Sequence, residues 1–510
     1  MFCARDRKAV PTHFLRSKMN TETVDVAIVG AGVAGLYTAV NVLSAIPNAD
    51  VVLYEARKSP GGRIQTVRDD AGRPLYERGA WRIPSHHSIT LSLYRQYGIR
   101  LSVSSSSAKD AVHIGKPPNF SAFADRGMLD PSLTLWDVVA DTDAKVSGAQ
   151  KADRDTGYMD TTRAASTTSV YGVGALAPAP EGHYVPREAG MDSVIAALAQ
   201  DATNKGARLH LAHQVTDVRE SEDGMYVLDV RAAFGGKQYR YSKARARVVC
   251  AAVPPAAAFH WTLSKQWLMP MLHAVRPKAL AHVYAQGDRA PTMSTDSNFR
   301  ILVGDSPLAQ IISGDYVNGK IFQAAYASGQ LAQYWLHRWQ SAGSEEELCR
   351  DVADLLKRDA PSELNVPSIR KVMPCYFSRA IHMWRPARHL DENKSSNHSV
   401  LPLAHVGKYG FMWCNEAFST AQAWIEGALR QAQKAVMYIN KQYERNGAIA
   451  GAIQLREAVP SDCIRLYGWD VPVREFEATH PGGAEAIRAY LGKEATQVFE
   501  HIGHSPDAYA

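Results

Sequence analysis

The sequence predicts an α/β fold built on one strand-helix-strand unit near its start. Val24 to Val29 is a short apolar run, Leu36 to Leu43 has helical spacing, and Val51 to Tyr54 is a second apolar run. Short apolar runs that end at turn residues are typical of buried parallel strands. The unit spans about thirty residues, the length that a helical crossover between two parallel strands requires.

The turn between the first strand and the helix has glycines at three spaced positions, Gly30, Gly32 and Gly35. In this pattern the first glycine makes a tight turn, the second lets backbone approach a pyrophosphate, and the third lets the helix pack on the strand. Glu55 directly follows the second strand, where a carboxylate can accept hydrogen bonds from ribose hydroxyls. The sequence therefore predicts a Rossmann-type dinucleotide-binding site.

Composition and charge exclude several classes of protein. Of 510 residues, 46% are hydrophobic and 21% are charged, which is typical of a globular protein with a sizeable core. The formal net charge of +6 is too weak to indicate nucleic-acid binding, and part of it lies in residues 1–18. No apolar run reaches the roughly 18 residues that a membrane span needs.

The cysteines and the first residues bear on the compartment. Six cysteines are widely scattered and form no C-x-x-C pair, which suits a reducing compartment without structural disulfides. Residues 1–22 are predicted to be a disordered basic leader, because they lack the apolar segment of a secretory signal. We therefore expect a cytoplasmic protein, with a transit peptide in residues 1–18 as the open alternative.

Further elements follow from apolar periodicity and turn residues. Residues from about 100 to 180 are polar and rich in Ser, Asp and Ala, and indicate an inserted region of loops and short helices. The remaining predicted elements are a hairpin from Val215 to Val230 around Asp223-Gly224, a buried strand from Val248 to Val253, strand-like runs over residues 280–330, and helices from Glu345 to Arg358 and from Ala421 to Tyr438.

Four short segments resemble one known family. Residues 57–63 read RKSPGGR, and resemble the R-x-x-x-G-G-R element of flavin-dependent amine oxidases. Residues 77–84 read ERGAWRIP, and resemble the GAMRIP segment of the L-amino-acid oxidases in that family. Residues 414–417 read CNEA and residues 423–428 read AWIEGA, similar to the family's GE…GW-x-EGA flavin closure. The resemblance covers about residues 23 to 438 and implies FAD.

The family's architecture implies a division of the chain. It is an FAD-binding Rossmann-type domain interleaved with an α+β substrate domain, over residues 23–440. The expected FAD-binding parts are residues 23–95, 185–260 and 400–440, and the expected substrate and helical parts are residues 96–184 and 261–399. The cofactor contacts that the resemblance implies are Gly30, Gly32, Ala34, Gly35, Glu55, Ala56, Arg57, Gly61, Gly62, Arg63, Gly79, Ala80, Trp81, Arg82, Val215, Glu416, Trp424 and Ile425.

The resemblance also implies roles in the chemistry. In the family's amino-acid oxidases, the arginine of the GAMRIP segment binds the substrate carboxylate, and Arg82 matches it, with a structural salt bridge as the alternative. Tyr326 resembles a substrate-contacting tyrosine of the tryptophan-oxidase branch, or is a core tyrosine. His282 stands where the family usually has a water-linked lysine, and Lys278 lies four residues earlier. His282 would hold a water, act as a base, or be a core histidine.

A second resemblance lies at the C-terminal end. Residues 480–483 read HPGG and residues 503–505 read GHS, similar to the haem-binding signature of cytochrome b5. The resemblance implies a small α+β module over residues 441–510, with haem b ligated by His480 and His504. Phe476 and Phe499 match the aromatic residues that line the haem. Two imidazole ligands leave the iron able to pass electrons but not to bind oxygen. A module that folds without haem is the alternative.

Together these resemblances predict FAD-dependent oxidation of the amine of an L-amino acid to the imine, which water hydrolyses to a 2-oxo acid and ammonia. The electron acceptor would be oxygen or the haem. The open alternatives are a polyamine or monoamine oxidase, a flavin amino-acid monooxygenase, a haem-coupled electron-transfer dehydrogenase, and a non-catalytic flavin-binding protein. We expect a small amine or amino acid as the substrate, oxygen or an electron-transfer protein as a partner, and possible homodimerisation.

Overall fold

The computed structural model describes residues 22–104, 111–114, 182–234, 238–265, 272, 275–294, 298–303, 306–316, 319–384, 410–419, 421–446, 461–466, 469–473, 477, 480, 482–493, 495 and 498. The predicted leader and most of the predicted insert lie outside these residues. The helices are α1 (Val33–Ala45), α2 (Ser88–Gln96), α3 (Ser193–Asn204), α4 (Pro255–Ala258), α5 (Gly329–Ser341), α6 (Glu345–Asp359), α7 (Ile425–Asn446) and α8 (Ala484–Arg488), and a 3₁₀ helix covers Glu416–Phe418.

The strands, in chain order, are β1 (Glu22–Val29), β2 (Val51–Tyr54), β3 (Thr66–Arg68), β4 (Pro74–Glu77), β5 (Ile83–Pro84), β6 (Ser102–Val103), β7 (Ala111–Ile114), β8 (His183–Val185), β9 (Arg208–His210), β10 (His213–Glu220), β11 (Tyr226–Phe234), β12 (Gln238–Ala251), β13 (Val275–Gly287), β14 (Thr292–Met293), β15 (Arg300–Val303), β16 (Gln310–Ile312), β17 (Ile321–Ser328), β18 (Leu364–Asn365), β19 (Ile369–Trp384), β20 (Phe411–Trp413), β21 (Cys463–Leu466) and β22 (Trp469–Pro472).

The first sheet has the strand order β10-β11-β12-β1-β2-β9, and β20 pairs with β12 in addition. Strand β1 is central and runs parallel to both β12 and β2. The predicted strand-helix-strand unit is confirmed as β1, α1 and β2. The predicted hairpin is also confirmed, as β10 and β11, and Gly224 lies in its turn with a φ of +79°. The fold class predicted from the sequence is thus observed.

Side chains of β1 alternate between two cores, as the period of a strand requires. Val26 and Ile28 pack into the core that includes residues of α1, α3 and α7. Ala27 and Val29 pack into the core on the other face, which also contains Trp413. Both faces of the central strand are buried, so the N-terminal end of α1 is fixed at the carboxyl edge of the sheet.

The second sheet has the strand order β19-β13-β17-β16-β15-β7. Helices α5 and α6 pack on it through a core that includes Val283, Phe322, Trp335 and Val352. The predicted helix from Glu345 to Arg358 is confirmed as α6, and the side chain of Ser344 caps it by accepting from the backbone N–H of Glu347 at 3.2 Å. Strand β7, within the predicted insert, pairs in parallel with β15.

Helix α7 begins later than the sequence predicted, at Ile425 instead of Ala421. Ala423 has a φ of +71°, in the left-handed region, which a right-handed helix excludes. The backbone N–H of Ala421 donates to Oγ of Ser419 at 3.2 Å, so a side chain rather than a helical carbonyl satisfies it. The helix continues to Asn446, beyond its predicted end at Tyr438.

The described C-terminal residues form a small separate core. Strands β21 and β22 pair antiparallel, and α8 follows. Ile464, Val473, Ile487 and Ala495 pack together. Among the described residues, none of the helices combines the length and the apolar character needed to cross a membrane.

Candidate active site

The three glycines after β1 have different surroundings. A Cβ atom on Gly35 would come 2.0 Å from the carbonyl oxygen of Gly30, and one on Gly30 would come 2.7 Å from that of Ala252. A Cβ atom on Gly32 would meet no described atom within 4 Å. Gly30 and Gly35 are therefore required by close backbone packing, whereas Gly32 borders open space at the N-terminal end of α1. A helix N-terminus with open space beside it suits a phosphate.

Glu55 connects the glycine turn to the segment after β2. One carboxylate oxygen accepts from the backbone N–H of Ala31 and the other from that of Arg57, both at 2.9 Å. Each oxygen keeps capacity for a further hydrogen bond, so the arrangement is compatible with a ribose hydroxyl. Ala34 is buried in the first turn of α1, and Ala56 is exposed beside Glu55.

Gly61 and Gly62 bring a second loop to the same opening. The N–H of Gly61 donates to the carbonyl of Ala31 at 2.9 Å. A Cβ atom on Gly62 would lie 3.9 Å from the Cα atom of Gly32. Arg57 fixes this loop through a 2.9 Å hydrogen bond to the carbonyl of Gly62. Two backbone loops thus line one open cleft, which is the shape that a dinucleotide pyrophosphate requires.

Arg63 and Glu416 form an ion pair between distant parts of the chain. Arg63 also donates to the carbonyl of Ala380 at 2.6 Å. The Nδ1 atom of His382 lies 2.8 Å from Oε1 of Glu416. Burial alone would raise the pKa of Glu416, but the charges of Arg63 and His382 lower it to about 2. The resemblance implies that Arg63 is a cofactor contact, and in the structure its guanidinium also binds two protein groups. His382 was not predicted, because no local motif marks it.

The departures from the family pattern near Glu416 have local explanations. Asn415 replaces a glycine, and its side chain donates to the carbonyl of Val253 at 2.9 Å and accepts from the N–H of Ala417 at 3.0 Å. It therefore caps the 3₁₀ helix. Ala423, which also replaces a glycine, keeps a positive φ. Val215 is buried in β10 next to an irregularity in its pairing.

Arg82 lies between two tryptophans. Its guanidinium carbon is 4.4 Å from the ring centroid of Trp81 and 6.0 Å from that of Trp424. These contacts are favourable cation–π interactions. Arg82 is only 8% exposed. Gly79 starts this segment, and a Cβ atom on it would come 1.9 Å from the carbonyl of Arg63. The N–H of Ala80 donates to that same carbonyl at 3.0 Å.

The structure brings His282 and Tyr326 to the same place. They are opposite each other in the pairing of β13 with β17, and their ring centroids are 4.8 Å apart. Tyr326 also meets the ring of Trp81 edge-on at 6.2 Å. Burial, with a further contribution from the charge of Arg82, lowers the pKa of His282 to about 3. His282 is therefore a neutral imidazole at neutral pH.

Two further histidines near Arg82 were not predicted from the sequence. His183 lies opposite Pro84 in the pairing of β8 with β5, two residues beyond Arg82. Burial, followed by the charge of Arg82, lowers the pKa of His183 to about 2. The ring of His87 is 5.1 Å from that of Trp424, and burial lowers its pKa to about 3. Sequence reasoning missed His183 because it comes close to Arg82 only when β5 and β8 pair, and it missed His87 because no motif marks that residue.

Lys278 and His282 lie on the same face of β13. Leu280, midway between them, packs with Tyr326 and Ala423, while Ala281 and its alternate neighbours face the other core. At the usual rise of a strand, Lys278 and His282 are about 13 Å apart. The two side chains therefore occupy different positions along the face, and His282 is the one beside Tyr326.

At the C-terminal module, Nδ1 of His480 lies 3.3 Å from the carbonyl oxygen of Gly483. A carbonyl only accepts, so this contact places the proton on Nδ1 and leaves Nε2 as the ligating nitrogen, the usual arrangement for metal-bound histidine. His480 could therefore ligate a haem iron through Nε2. His504, together with Phe476 and Phe499, lies outside the described residues.

Comparison with known proteins matches both parts of the chain. The family model described as flavin containing amine oxidoreductase matches residues 33–164 and 159–440. The model described as cytochrome b5-like heme/steroid binding domain matches residues 472–510. The first match implies FAD and the second implies haem.

Curated relatives match over short segments. Tryptophan 2-monooxygenase from Pseudomonas savastanoi is 43% identical over 84 residues, which are 16% of this chain and 15% of that protein. L-amino-acid oxidase from Protobothrops flavoviridis is 29% identical over 131 residues, 26% of this chain and 25% of that protein. The aligned segments therefore span no more than about a quarter of these relatives.

Solved structures match over most of the chain at low identity. A putrescine oxidase bound to putrescine superposes with a TM-score of 0.58 at 14% identity, covering 82% of this chain and 99% of that one. Cyclohexylamine oxidase from Brevibacterium oxydans gives 0.59 at 16% identity, covering 83% of this chain and 100% of that one. These likenesses establish the fold.

Proposed function

Because the chain belongs to the flavin-containing amine oxidoreductases and ends in a cytochrome b5-like domain, we propose that it oxidises the amine of an L-amino acid. The product is an imine, which water hydrolyses to a 2-oxo acid and ammonia. The observation on which the proposal rests is Arg82, a buried guanidinium flanked by Trp81 and Trp424 and close to neutral imidazoles. A permanent positive charge in these surroundings suits a substrate carboxylate.

Arg82 would bind and orient the substrate. Its planar donors match a carboxylate, and the rings of Trp81 and Trp424 restrict the guanidinium on two sides. Fixing the carboxylate fixes the adjacent amine-bearing carbon, which is how positioning lowers a barrier. The positive charge also disfavours a second cation nearby, so it favours the neutral amine that oxidation requires.

His282 is the proposed partner of the amine on the strand side. With a pKa of about 3 it is neutral at pH 7 and is a weak base, which favours its holding a water or accepting a hydrogen bond from the amine over its storing a proton. Tyr326, 4.8 Å away between the ring centroids, limits the position of the imidazole. FAD, when bound, supplies the acceptor for the hydride from the amine-bearing carbon.

The proposal is tested by replacing Arg82 with alanine and comparing L-tryptophan with tryptamine, and L-phenylalanine with phenethylamine. We expect kcat/KM for the amino acids to fall about 30- to 4,000-fold, which corresponds to a loss of roughly 2–5 kcal/mol of transition-state stabilisation. The loss for the amines should be much smaller. Arg78→Ala is the matched control, because Arg78 lies in the same segment but is exposed.

Equal losses for the amino acid and its decarboxylated amine would contradict the carboxylate assignment. Faster turnover of the amines in the unaltered protein would favour a monoamine or polyamine oxidase. A carboxamide product would favour the monooxygenase alternative.

The b5-like module favours a second proposal, that haem accepts electrons from the same reaction. His480, whose Nδ1 faces the carbonyl of Gly483, supports this reading. Mixing the haem- and flavin-loaded protein with substrate without oxygen should bleach the flavin and then produce reduced haem. The opposite result would be hydrogen peroxide formation in air, together with no haem reduction when oxygen is excluded. It would assign oxygen as the acceptor. If no amine or amino acid reduces the flavin, the remaining alternative is a non-catalytic flavin-binding protein.

A further inference from the structure

Glu77 is a buried carboxyl that the proposed reaction does not use. It is 1% exposed and lies at the end of β4, five residues before Arg82. Three donors from three different segments reach its carboxyl oxygens, each at 2.9 Å: the hydroxyl of Thr66, the backbone N–H of Met191 and the hydroxyl of Tyr316. The carboxyl thus joins β3, the turn before α3 and the loop before β17.

The backbone of Glu77 makes a fourth connection, to the strand of His282. The hydroxyl of Tyr284 donates to the carbonyl oxygen of Glu77 at 2.7 Å. Tyr284 is two residues from His282 on the same face of β13, and their rings stack with centroids 6.0 Å apart. Glu77 is therefore attached on one side to the segment of Arg82 and on the other to the strand of His282.

We propose that Glu77 is a positioning residue: through its backbone carbonyl, bonded by Tyr284, and its carboxyl, bonded by Tyr316, it fixes the Arg82 segment relative to the strand of His282. This inference rests on the proposed function of Arg82. Arg82 directly precedes β5, whereas His282 lies in β13, and side chains from separate elements need a connection that sets their spacing. A substrate gripped at its carboxylate would then have its amine at a defined distance from His282.

Burial and the neighbouring charge of Asp192, on the turn before α3, disfavour the negative charge of Glu77. The hydroxyl of Tyr316 donates to the carboxyl and favours the charge, and the buried side chains of Tyr94 and Tyr284 lie near it on neighbouring elements. Burial raises the pKa of Glu77 to about 8, although its donors oppose the shift. Tyr316 also lines a surface cavity of about 670 Å³.

This arrangement predicts a pH effect on ligand binding that is separate from the amine. The probe is phenylacetate, a carboxylate without an amine, and its binding is followed by the flavin absorbance between pH 6 and 9.5. Neither phenylacetate nor Arg82 titrates in this window, and His87, His183 and His282 stay neutral through it. We expect the dissociation constant to rise at least fivefold as the pH passes about 8.

Three variants separate positioning from a merely structural role. Glu77→Gln should remove the rise, because an amide does not ionise. Tyr316→Phe removes a donor that stabilises the carboxylate, so the rise should move to higher pH. Tyr97→Phe is the control, since Tyr97 likewise donates to a carboxylate, that of the half-buried Asp201, at 2.8 Å but outside this junction. Its pH profile should match that of the unaltered protein.

The outcomes distinguish the two proposals. If Arg82→Ala leaves phenylacetate binding unchanged, the carboxylate site is wrong, whatever Glu77 does. If Arg82→Ala weakens binding but Glu77→Gln and Tyr316→Phe keep the original pH profile, only the positioning role is wrong. If Glu77→Gln does not fold, the direction of the Tyr316→Phe shift decides alone.

Discussion

Gly62 faces Gly32 across the opening at the N-terminal end of α1, with 3.9 Å between a Cβ built on Gly62 and the Cα of Gly32. Neither position is filled by the protein, although the surrounding glycines are tightly packed. Gly32 and Gly62 therefore leave space that a cofactor would occupy, whereas the tightly packed glycines around them are required by the fold.

Replacing Gly32 with valine should remove flavin and leave the fold intact. A branched side chain would occupy the space that a pyrophosphate requires, but it would meet no described protein atom near its Cβ. We expect flavin affinity to fall at least tenfold, about 1.4 kcal/mol or more, with an unchanged circular dichroism spectrum. Gly35→Ala is the contrast, since its Cβ would lie 2.0 Å from a carbonyl oxygen and should destabilise the fold. If purified Gly32→Val protein keeps all of its flavin, the assignment of this glycine turn as the pyrophosphate-binding site is wrong.

Replacing Ala423 with glycine should stabilise the protein. Ala423 has a φ of +71°, where an L-residue is strained by about 1 kcal/mol relative to glycine. Thermal unfolding of the flavin-loaded protein should show a higher midpoint. Ala421→Gly is the control: Ala421 is buried and is not among the residues with positive φ, so glycine there should lower the midpoint. A lower midpoint for both would mean that the strain at Ala423 is relieved by its contacts.

Replacing Glu416 with glutamine should cost stability in a pH-dependent way. Because the folded protein lowers the pKa of Glu416 from 4.5 to about 2, its ionised form contributes stability above pH 4.5. That contribution, about 3 kcal/mol, is lost as the pH falls from 4.5 towards 2. The difference in unfolding free energy between the two proteins should therefore be largest at pH 7 and shrink in acid.

The control for Glu416 is Glu188→Gln, since the side chain of Glu188 is 75% exposed. It should show no comparable difference at pH 7 or at pH 3. A penalty for Glu416→Gln that is the same at pH 7 and pH 3 would indicate lost packing instead of a lost charge interaction with Arg63 and His382.

The C-terminal module should bind haem through two histidines. Reduced protein should show the sharp bands of low-spin b-type haem, and His480→Ala or His504→Ala should abolish them. His501→Ala is the matched control, three residues from His504 in the sequence. Protein given excess haem that shows no low-spin bands would refute the haem assignment, while the flavin assignment would stand.

Local patterns were sufficient for the dinucleotide half of the fold. Strand β2 begins at Val51 and ends at Tyr54, as predicted, because four consecutive apolar residues and the acid after them define both ends. The glycine spacing likewise predicted a helix after β1, although α1 begins at Val33, three residues before the predicted start at Leu36. Helix α7 was misplaced at its start, since its apolar pattern extends back over Ala421 while the backbone at Ala423 turns the other way.

Most of the residues around Arg82, where the substrate is proposed to bind, could not be predicted from the sequence. His183 becomes a neighbour of the Arg82 segment, and Met191 and Tyr316 become neighbours of Glu77, only through contacts between residues far apart in the chain. Tyr316, for example, reaches Glu77 across 239 positions. No periodicity or turn motif encodes such a contact, because it depends on how two sheets pack.

The ion pair of Arg63 with Glu416 joins residues 353 positions apart, and β20 pairs with β12 beside them. During synthesis, the first strands and α1 therefore emerge long before the residues that complete their pocket. Contacts of such long range are formed late and slow the folding of a domain. A nascent chain should become able to retain flavin only after residues beyond Glu416 have left the ribosome.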